Sequence, residues 1–221
     1  MSQQYSVVFV NHSSNSGSAC VFQQDPNLAT HNAMSLAWFT KFNYPNTKVL
    51  FKWNIDYSFV WSETGVLVPG VQFIANEVLP ADLTKNNSVT LSHEGGAYTF
   101  TNQKTASSSA GSLVINEDGT IPLKQASVGI GMSGNGTFAV QAQPNQILTF
   151  TPHPKYYIAF GSFSEGEVLD IDQMSQSAEI AFQPNVYSMT AILNQDNSWT
   201  IQPTSAVNKE VAEARELQER L

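Results

Sequence analysis

The sequence has little of the material from which several common protein classes are built. A single cysteine, Cys20, occurs in 221 residues, which excludes the internal disulfide framework that stabilises many secreted β proteins. No apolar run approaches the roughly 20 residues of a membrane span, and the apolar run 7–10 is too short for the core of a signal peptide. We therefore expect a cytoplasmic protein, unless it is exported without a cleaved signal.

Charged residues are also scarce, and those present are mostly acidic. They make up 13% of the chain, and 10 basic against 18 acidic residues give a formal net charge of −8. Such a balance repels phosphate backbones and anionic lipid surfaces. The composition therefore predicts a protein that binds neither nucleic acid nor membranes.

Two local motifs that would indicate an enzyme are missing or incomplete. The string from Gly129 to Gly134 has the glycine spacing of a dinucleotide fingerprint, but the alternating residues 138–143 follow where that motif needs a helix. A glycine-rich strand and hairpin explains it better. The Gly-x-Ser-x-Gly turn of many hydrolases is absent, since Ser133 and Ser164 lack a glycine at the required offset. The sequence thus predicts no catalytic residue and no cofactor, and it favours a protein that is not an enzyme.

The histidines and the cysteine do not indicate a metal site. No two histidines lie within the short spacings typical of zinc ligands, and His93 is followed by a glutamate without the second histidine of a zinc peptidase. Cys20 lies in a predicted strand, where a small core residue is a simpler interpretation than a reactive thiol. We therefore predict no metal and interpret as isolated surface or loop residues His12, His31, His93 and His153.

Paired carboxylates are the one catalytic arrangement that the sequence leaves open. A glycosidase needs two of them about 5–10 Å apart across a sugar, which spacing along a chain cannot establish. Glu167, Asp170 and Asp172 could instead help to bind Ca²⁺, although their spacing matches no known cation loop. A solvated acidic edge is the simplest interpretation. The carboxylates closest to aromatic segments are Asp56, Glu63, Glu165, Glu167, Asp170 and Asp172.

Alternating polarity is the clearest positive signal. Between residues 49 and 61, side chains such as Phe51, Trp53 and Trp61 fall on one side of an extended chain. We expect one long strand here, with an aromatic inner face. Many short, regularly spaced strands predict an all-β fold, an antiparallel β-sandwich. The further predicted strands are 5–10, 18–23, 88–93, 97–101, 112–116, 127–132, 137–143, 147–151, 156–160, 167–171, 178–182, 188–193 and 198–202.

Turn residues between these segments support the same fold. They tolerate positive φ, as tight hairpins require. The small polar residues 103–112 predict a mobile loop, but composition does not shift across it and no internal repeat is convincing, so we predict a single β-sandwich domain at residues 1–205. Residues 33–42 fit either a strand or a helix. The predicted turns are 94–96, 117–119, 134–136 and 195–197.

The C-terminal residues 206–221 differ from the rest of the chain and predict a short amphipathic helix. Val207, Val211, Ala214, Leu217 and Leu221 recur at helical spacing, with Glu and Arg on the other side. A helix of about 16 residues is marginal alone in water. It must dock on the sheet, pair with another copy or continue into further sequence, and a frayed tail is the alternative. A homo-oligomer formed through this helix is our main hypothesis for a partner.

Aromatic residues are the most suggestive material for ligand binding. Seven of them could form an apolar platform for a sugar or another flat ligand. Most should build the core instead, because the alternation already places Trp53 and Trp61 inward. No ligand-binding residue can be assigned among Trp38, Trp53, Trp61, Tyr156, Tyr157, Phe160 and Phe163.

Three segments resemble a known bacterial family. They are NHSSNSGSACVFQQDPN, MSLAWFTKFNYPNT and FKWNIDYSFVWSETGVLVPGVQF, which are similar to the rhizosphere-expressed RhiA family, most closely over about the first hundred residues. The resemblance implies an abundant soluble product of soil and plant-associated bacteria, made under population-density control. It implies no catalytic residue, because none is assigned in that family.

These observations lead to three functional hypotheses. The first is a non-enzymatic interaction or binding protein that acts in bacterial interaction with a host or the rhizosphere and self-associates. The second is a small-ligand or carbohydrate-binding protein that uses surface aromatics. The third is a carboxylate-dependent hydrolase, because missing local motifs do not exclude a site assembled from distant loops.

Overall fold

A computed structural model describes residues 3–24, 32–174 and 176–219 of the chain, with side chains up to residue 213. His31 lies outside the described residues. The structure is almost entirely β, as the alternating polarity predicts. Its helices are two short 3₁₀ turns, Ser107–Ser109 and Ile171–Gln173, and a C-terminal α-helix, α1 (Thr204–Glu219).

The strands of the described residues are numbered in chain order. They are β1 (Gln4–Asn11), β2 (Gly17–Gln24), β3 (Met34–Ser35), β4 (Phe39–Asn43), β5 (Lys48–Asn54), β6 (Tyr57–Ser62), β7 (Glu77–Ala81), β8 (Ser88–Glu94), β9 (Ala97–Lys104), β10 (Leu113–Glu117), β11 (Ser127–Met132), β12 (Asn135–Gln141), β13 (Gln146–Phe150), β14 (Lys155–Gly161), β15 (Ala178–Glu179), β16 (Ser188–Leu193) and β17 (Trp199–Pro203).

The strands form four sheets, which pack in pairs as two sandwiches. In the first sandwich, sheet β17-β16-β1-β5 packs on sheet β15-β14-β2-β4, and the core between them contains Phe9, Trp38, Trp53 and Ile158. In the second, sheet β13-β10-β8-β9 packs on sheet β3-β12-β11-β6-β7. Most pairings are antiparallel, and the central pairs β1/β16 and β8/β10 are parallel. The predicted antiparallel β-sandwich with a C-terminal helix is therefore confirmed.

Both sandwiches have the same strand arrangement, although their sequences show no convincing repeat. In the second, β6 to β13 follow one another along the chain. In the first, the same pairings are made by β14 to β17 followed by β1, β2, β4 and β5, so that the two ends of the chain complete it. The parallel pair β8/β10 corresponds to β16/β1, and β6/β11 corresponds to β14/β2. That residues 1–205 form a single domain stays a prediction.

The prediction of one continuous strand at residues 49–61 is wrong. It divides into β5 and β6, which belong to different sandwiches, and residues 55–56 carry the chain between them. Asp56 accepts hydrogen bonds at Oδ1 from the backbone N–H of Ser133 (2.9 Å) and from its Oγ (3.0 Å), which fixes this crossing to the β11–β12 hairpin. The predicted burial of the aromatic face is correct, since Trp53 and Trp61 are 1% and 7% exposed.

Other differences lie in the loops. Residues 33–42 resolve to strands β3 and β4 and not to a helix. Residues 167–171 form no regular strand, and make only isolated bridges through Glu167 and Val168. Strand β7, which contains Pro80, was not predicted; it is an edge strand, where a residue without an N–H is tolerated.

Candidate functional site

An open cleft of about 520 Å³ lies where the chain passes between the two sandwiches. Its lining includes four aromatic rings and two isoleucines, and we call it the aromatic cleft. Two of the crossings between the sandwiches, at residues 55–56 and at residues 151–154, border it. The aromatic and isoleucine residues of the lining are Tyr5, Ile55, Tyr57, Tyr156, Ile180 and Phe182.

Strand register brings these rings together. Tyr5 at the start of β1 is opposite Trp53 at the end of β5, and alternation turns both towards the first core. Their rings stack with centroids 6.2 Å apart. Trp53 also packs against Tyr156 at 5.1 Å, and Phe182 meets Tyr5 edge to face at 5.0 Å. These separations are in the range in which aromatic pairs attract one another, so packing fixes the positions of the rings.

The interior of the cleft is uncharged, and charge is confined to its rim. Burial raises the pKa of Tyr156 to about 12, and its hydroxyl donates to Met132 Sδ at 3.9 Å. The buried Trp53 indole N–H next to this hydroxyl acts in the opposite direction and lowers the pKa of Tyr156. The rim contains His153, Lys155 and Glu179.

The seven aromatics that the sequence singles out do not form one platform. The indoles of three are buried in the cores; Trp38 Nε1 donates to Met132 O at 2.8 Å and Trp61 Nε1 to Glu77 Oε2 at 2.7 Å. Tyr157 and Phe163 pack on the outer face of β2 and β14. Tyr156 lies in the aromatic cleft, and Phe160 lies at the opposite end of β14.

Four residues of the cleft were missed by sequence reasoning. Tyr5 and Tyr57 begin their strands, Ile55 lies in a crossing, and Phe182 lies beyond the short strand β15. They are far apart along the chain, so no local pattern groups them. The alternation at Tyr5 and Tyr57 was a usable signal that each ring faces inward, but only the pairing of strands shows that they meet.

The candidate carboxylates have structural partners. Asp56 binds Ser133, Glu165 Oε1 accepts from Asn135 Nδ2 at 3.2 Å, and Glu167 Oε2 accepts from the Ser164 N–H at 3.0 Å. Glu63 follows β6, whereas Asp170 and Asp172 lie at the second 3₁₀ turn. Within the part of the chain that the structure describes, no group of three or more His, Cys, Asp or Glu side chains is arranged to hold a metal ion.

The remaining candidates have roles in packing or turns. Cys20 lies in the core as predicted, and burial together with the nearby Glu167 carboxylate raises its pKa. The glycine-rich string is a strand and hairpin as predicted, since a Cβ at Gly129 would lie 1.9 Å from Phe138 O. The His93 ring packs against Tyr98 with centroids 4.4 Å apart, and His12 follows β1.

The fold and the cleft define an all-β protein of two sandwiches with an aromatic cleft between them. The sequence model of the RhiA family matches residues 2–204. The chain is also 40% identical over 204 residues to protein RhiA of Rhizobium leguminosarum bv. viciae, which covers 90% of this chain and 87% of that protein. The chain therefore belongs to the RhiA family, as the resemblance implies. No solved structure matches it, and no helix among the described residues is long and apolar enough to cross a membrane.

Proposed function

We propose that the protein is a non-enzymatic binding protein and that the aromatic cleft holds a small, flat, largely uncharged molecule. The observation that carries this proposal is the set of four aromatic rings and two isoleucines around about 520 Å³ of open space. Sites for small molecules commonly measure about 300–1,000 Å³ and are lined by apolar and aromatic side chains. An aromatic ring or the apolar face of a sugar fits that description.

Preorganisation supports the same proposal. Tyr5, Trp53, Tyr156 and Phe182 already pack against one another, so a ligand would not have to order them. Binding to rings that are already fixed avoids the entropy cost of immobilising side chains.

The test is to fill the cleft from its rim. Ala181 lines the cleft and is exposed, so Ala181→Trp occupies the space without removing a core ring. Binding of a panel of planar phenols and indoles is measured by ligand-observed NMR, and we expect at least about tenfold weaker binding for Ala181→Trp. The matched control is Ala110→Trp, at an exposed alanine of the second sandwich, which should bind like the unmodified protein. Equal binding by both variants, or no binding by the unmodified protein, would refute the proposal.

Self-association is a second candidate role, favoured by one specific observation. The helix α1 lies against β16 and β17 at its beginning. Val211, which lies about two turns after the first residue Thr204, is 48% exposed. Val207 of the same stripe is half-buried, so only the stripe's second described residue is uncovered, and this exposed apolar position favours a partner helix from a second copy. Assembly of this kind is compatible with ligand binding, since the aromatic cleft involves neither β17 nor α1.

The cellular setting is proposed on separate grounds. The scarcity of cysteine supports the cytoplasm, and membership of the RhiA family supports a part in bacterial interaction with a host or the rhizosphere. No observation on the described residues favours the carboxylate-dependent hydrolase, because Asp56, Glu165 and Glu167 each hold a backbone or amide group in place.

A further inference from the structure

A second pocket, of about 270 Å³, lies at the opposite end of the first sandwich. It is formed where β1 passes to β2, at the end of β14 and at the β16–β17 hairpin. None of its nine lining residues is charged, although the chain carries 28 charged residues. We call it the neutral pocket. Its lining includes Asn15, Ser162, Gln176, Asn197, Phe160 and Trp199.

Trp199 provides a fixed aromatic wall. Its Nε1 donates to Gln176 O at 3.0 Å, and its ring packs on Phe9 with centroids 5.8 Å apart. Phe160 stacks on the same Phe9 ring, with centroids 5.5 Å apart. Both side chains are half-buried, so part of each ring borders the pocket.

The two asparagines at the mouth are held by their loops. Buried Asn11 donates from Nδ2 to Asn15 O at 2.8 Å, and this bond shapes the β1–β2 connection. Asn197 has φ of 62° in the β16–β17 turn, where its N–H donates to Asn194 O at 3.0 Å. Backbone contacts therefore fix where both amide side chains begin.

The two amides contact each other and leave one acceptor and one donor unused. Asn15 Nδ2 approaches Asn197 Oδ1 at 3.5 Å, and within the described ranges Asn15 Oδ1 and Asn197 Nδ2 have no hydrogen-bond partner. One acceptor next to one donor matches neighbouring hydroxyl groups, each of which can donate and accept. The exposed hydroxyl of Ser162 adds a third polar group of the same kind.

The second sandwich has the corresponding end closed. Its β6 and β9, which correspond to β14 and β17, bring Trp61 and Tyr98 into direct contact with centroids 5.5 Å apart. These side chains are only 7% and 8% exposed. The opening beside Trp199 is therefore not a necessary consequence of the strand arrangement.

We propose that the neutral pocket binds an uncharged monosaccharide unit, with its apolar face on Trp199 and neighbouring hydroxyls on Asn15 and Asn197. The absence of charge among the lining residues favours a neutral ligand, since a charged one would be desolvated without a counter-charge. The volume suits one sugar ring. This site is separate from the aromatic cleft, so either proposal can fail alone.

The experiment measures binding of the methyl glycosides of glucose, galactose, mannose and N-acetylglucosamine by saturation-transfer NMR, with glucuronate as a charged comparison. Tryptophan fluorescence is a second signal, because the other three tryptophans are at most 7% exposed and Trp199 is half-buried. We expect at least one neutral glycoside to bind and to change this fluorescence, and glucuronate to bind at least about tenfold more weakly.

Two variants assign the binding to this pocket without disturbing the core. Ser162→Tyr fills the pocket from an exposed position, and Ser108→Tyr is the matched control on the second sandwich. Asn197→Gly keeps the turn, since glycine accepts positive φ, and removes the amide. Ser162→Tyr and Asn197→Gly should each weaken binding at least about fivefold, and Ser108→Tyr should not. The proposal is overturned if no glycoside binds, or if the affinity is the same in all three variants.

Discussion

Glu117 shows how one side chain can distinguish two otherwise similar cores. Strand β10 corresponds to β1, and Val114 corresponds to Ser6, because the two pair with the equivalent residues Ser88 and Ser188. Three residues further along each strand, Glu117 therefore takes the position of Phe9. Phe9 is fully buried, and Glu117 is 3% exposed. Its Oε1 accepts the Gln143 N–H at 3.3 Å, and its Oε2 has no partner in the described part of the chain.

The second core should therefore be sensitive to pH. Burial raises the pKa of Glu117 from its ordinary 4.5 to about 7. Because the raised value favours the protonated form in the folded state, the stability that Glu117 contributes is complete below pH 4.5 and is lost as pH rises towards 7. The difference between the two pKa values corresponds to at most about 3 kcal/mol.

We predict that Glu117→Gln stabilises the protein at pH 8 by about 1–3 kcal/mol and has little effect near pH 5. Glutamine keeps the acceptor for the Gln143 N–H and cannot ionise. Denaturant unfolding at the two pH values measures the effect, with the exposed Glu94→Gln on the adjacent hairpin as control. An equal change in the free energy of unfolding at both pH values would show that the carboxylate is not the cause.

At the level of single residues, the sequence predicted which apolar side chains are buried, but not which polar side chain is buried with them. Alternation placed Trp53 and Trp61 inward correctly, and Cys20 lies in the core as expected. The same alternation could not show that Glu117 is buried, because polar residues next to a turn usually face solvent. Its burial depends on Gln143 and on the sheet opposite, which are distant along the chain.

Among secondary-structure elements, the break between β5 and β6 was beyond local prediction. Period-two alternation continues through residues 55–56, because both strands have inward aromatic faces. The contact that separates them is made by Ser133, 77 residues away from Asp56. Strands with strong alternation were therefore predictable, and the sandwich to which each belongs was not.

The helix α1 is docked at its first turn and open beyond it. The Thr204 hydroxyl accepts from Ser188 Oγ at 3.0 Å and from Thr190 Oγ1 at 3.1 Å, and Gln202 Nε2 donates to Glu210 Oε2 at 3.4 Å. Its exposed Lys209–Glu213 pair, at 3.7 Å, contributes little stability. The helix begins at Thr204 and not at residue 206, because these hydroxyls hold its first turn on the sheet.

We predict that the protein assembles through the exposed stripe of this helix. Light scattering after size-exclusion chromatography should give a mass above the 24.2 kDa of one chain, and Val211→Lys or deletion of residues 207–221 should reduce it to one chain. Ala212→Lys, at an exposed neighbouring position off the stripe, is the matched control and should keep the assembly. A single-chain mass for the unmodified protein at all concentrations would contradict the prediction.

For the whole molecule, the question is whether two sandwiches behave as one folding unit. The chain changes sandwich four times, at β2–β3, β3–β4, β5–β6 and β13–β14, and side chains bridge the two sandwiches. Met132, from β11 of the second sandwich, is fully buried in the first core, and Tyr57 packs against both cores. The first sandwich is also completed by strands from both ends of the chain, so forming it brings those ends together and closes the residues between them into a loop.

We therefore predict that residues 1–205 unfold in one cooperative transition, as expected of a single domain. Phe9→Leu alters the first core and Phe59→Leu the second, and each should lower the free energy of unfolding by about 1–3 kcal/mol. Because the cores are joined through Met132 and Tyr57, each variant should shift the entire transition, whether followed by far-ultraviolet circular dichroism or by tryptophan fluorescence. Two separate transitions, with each variant moving only its own, would show that the sandwiches are independent domains.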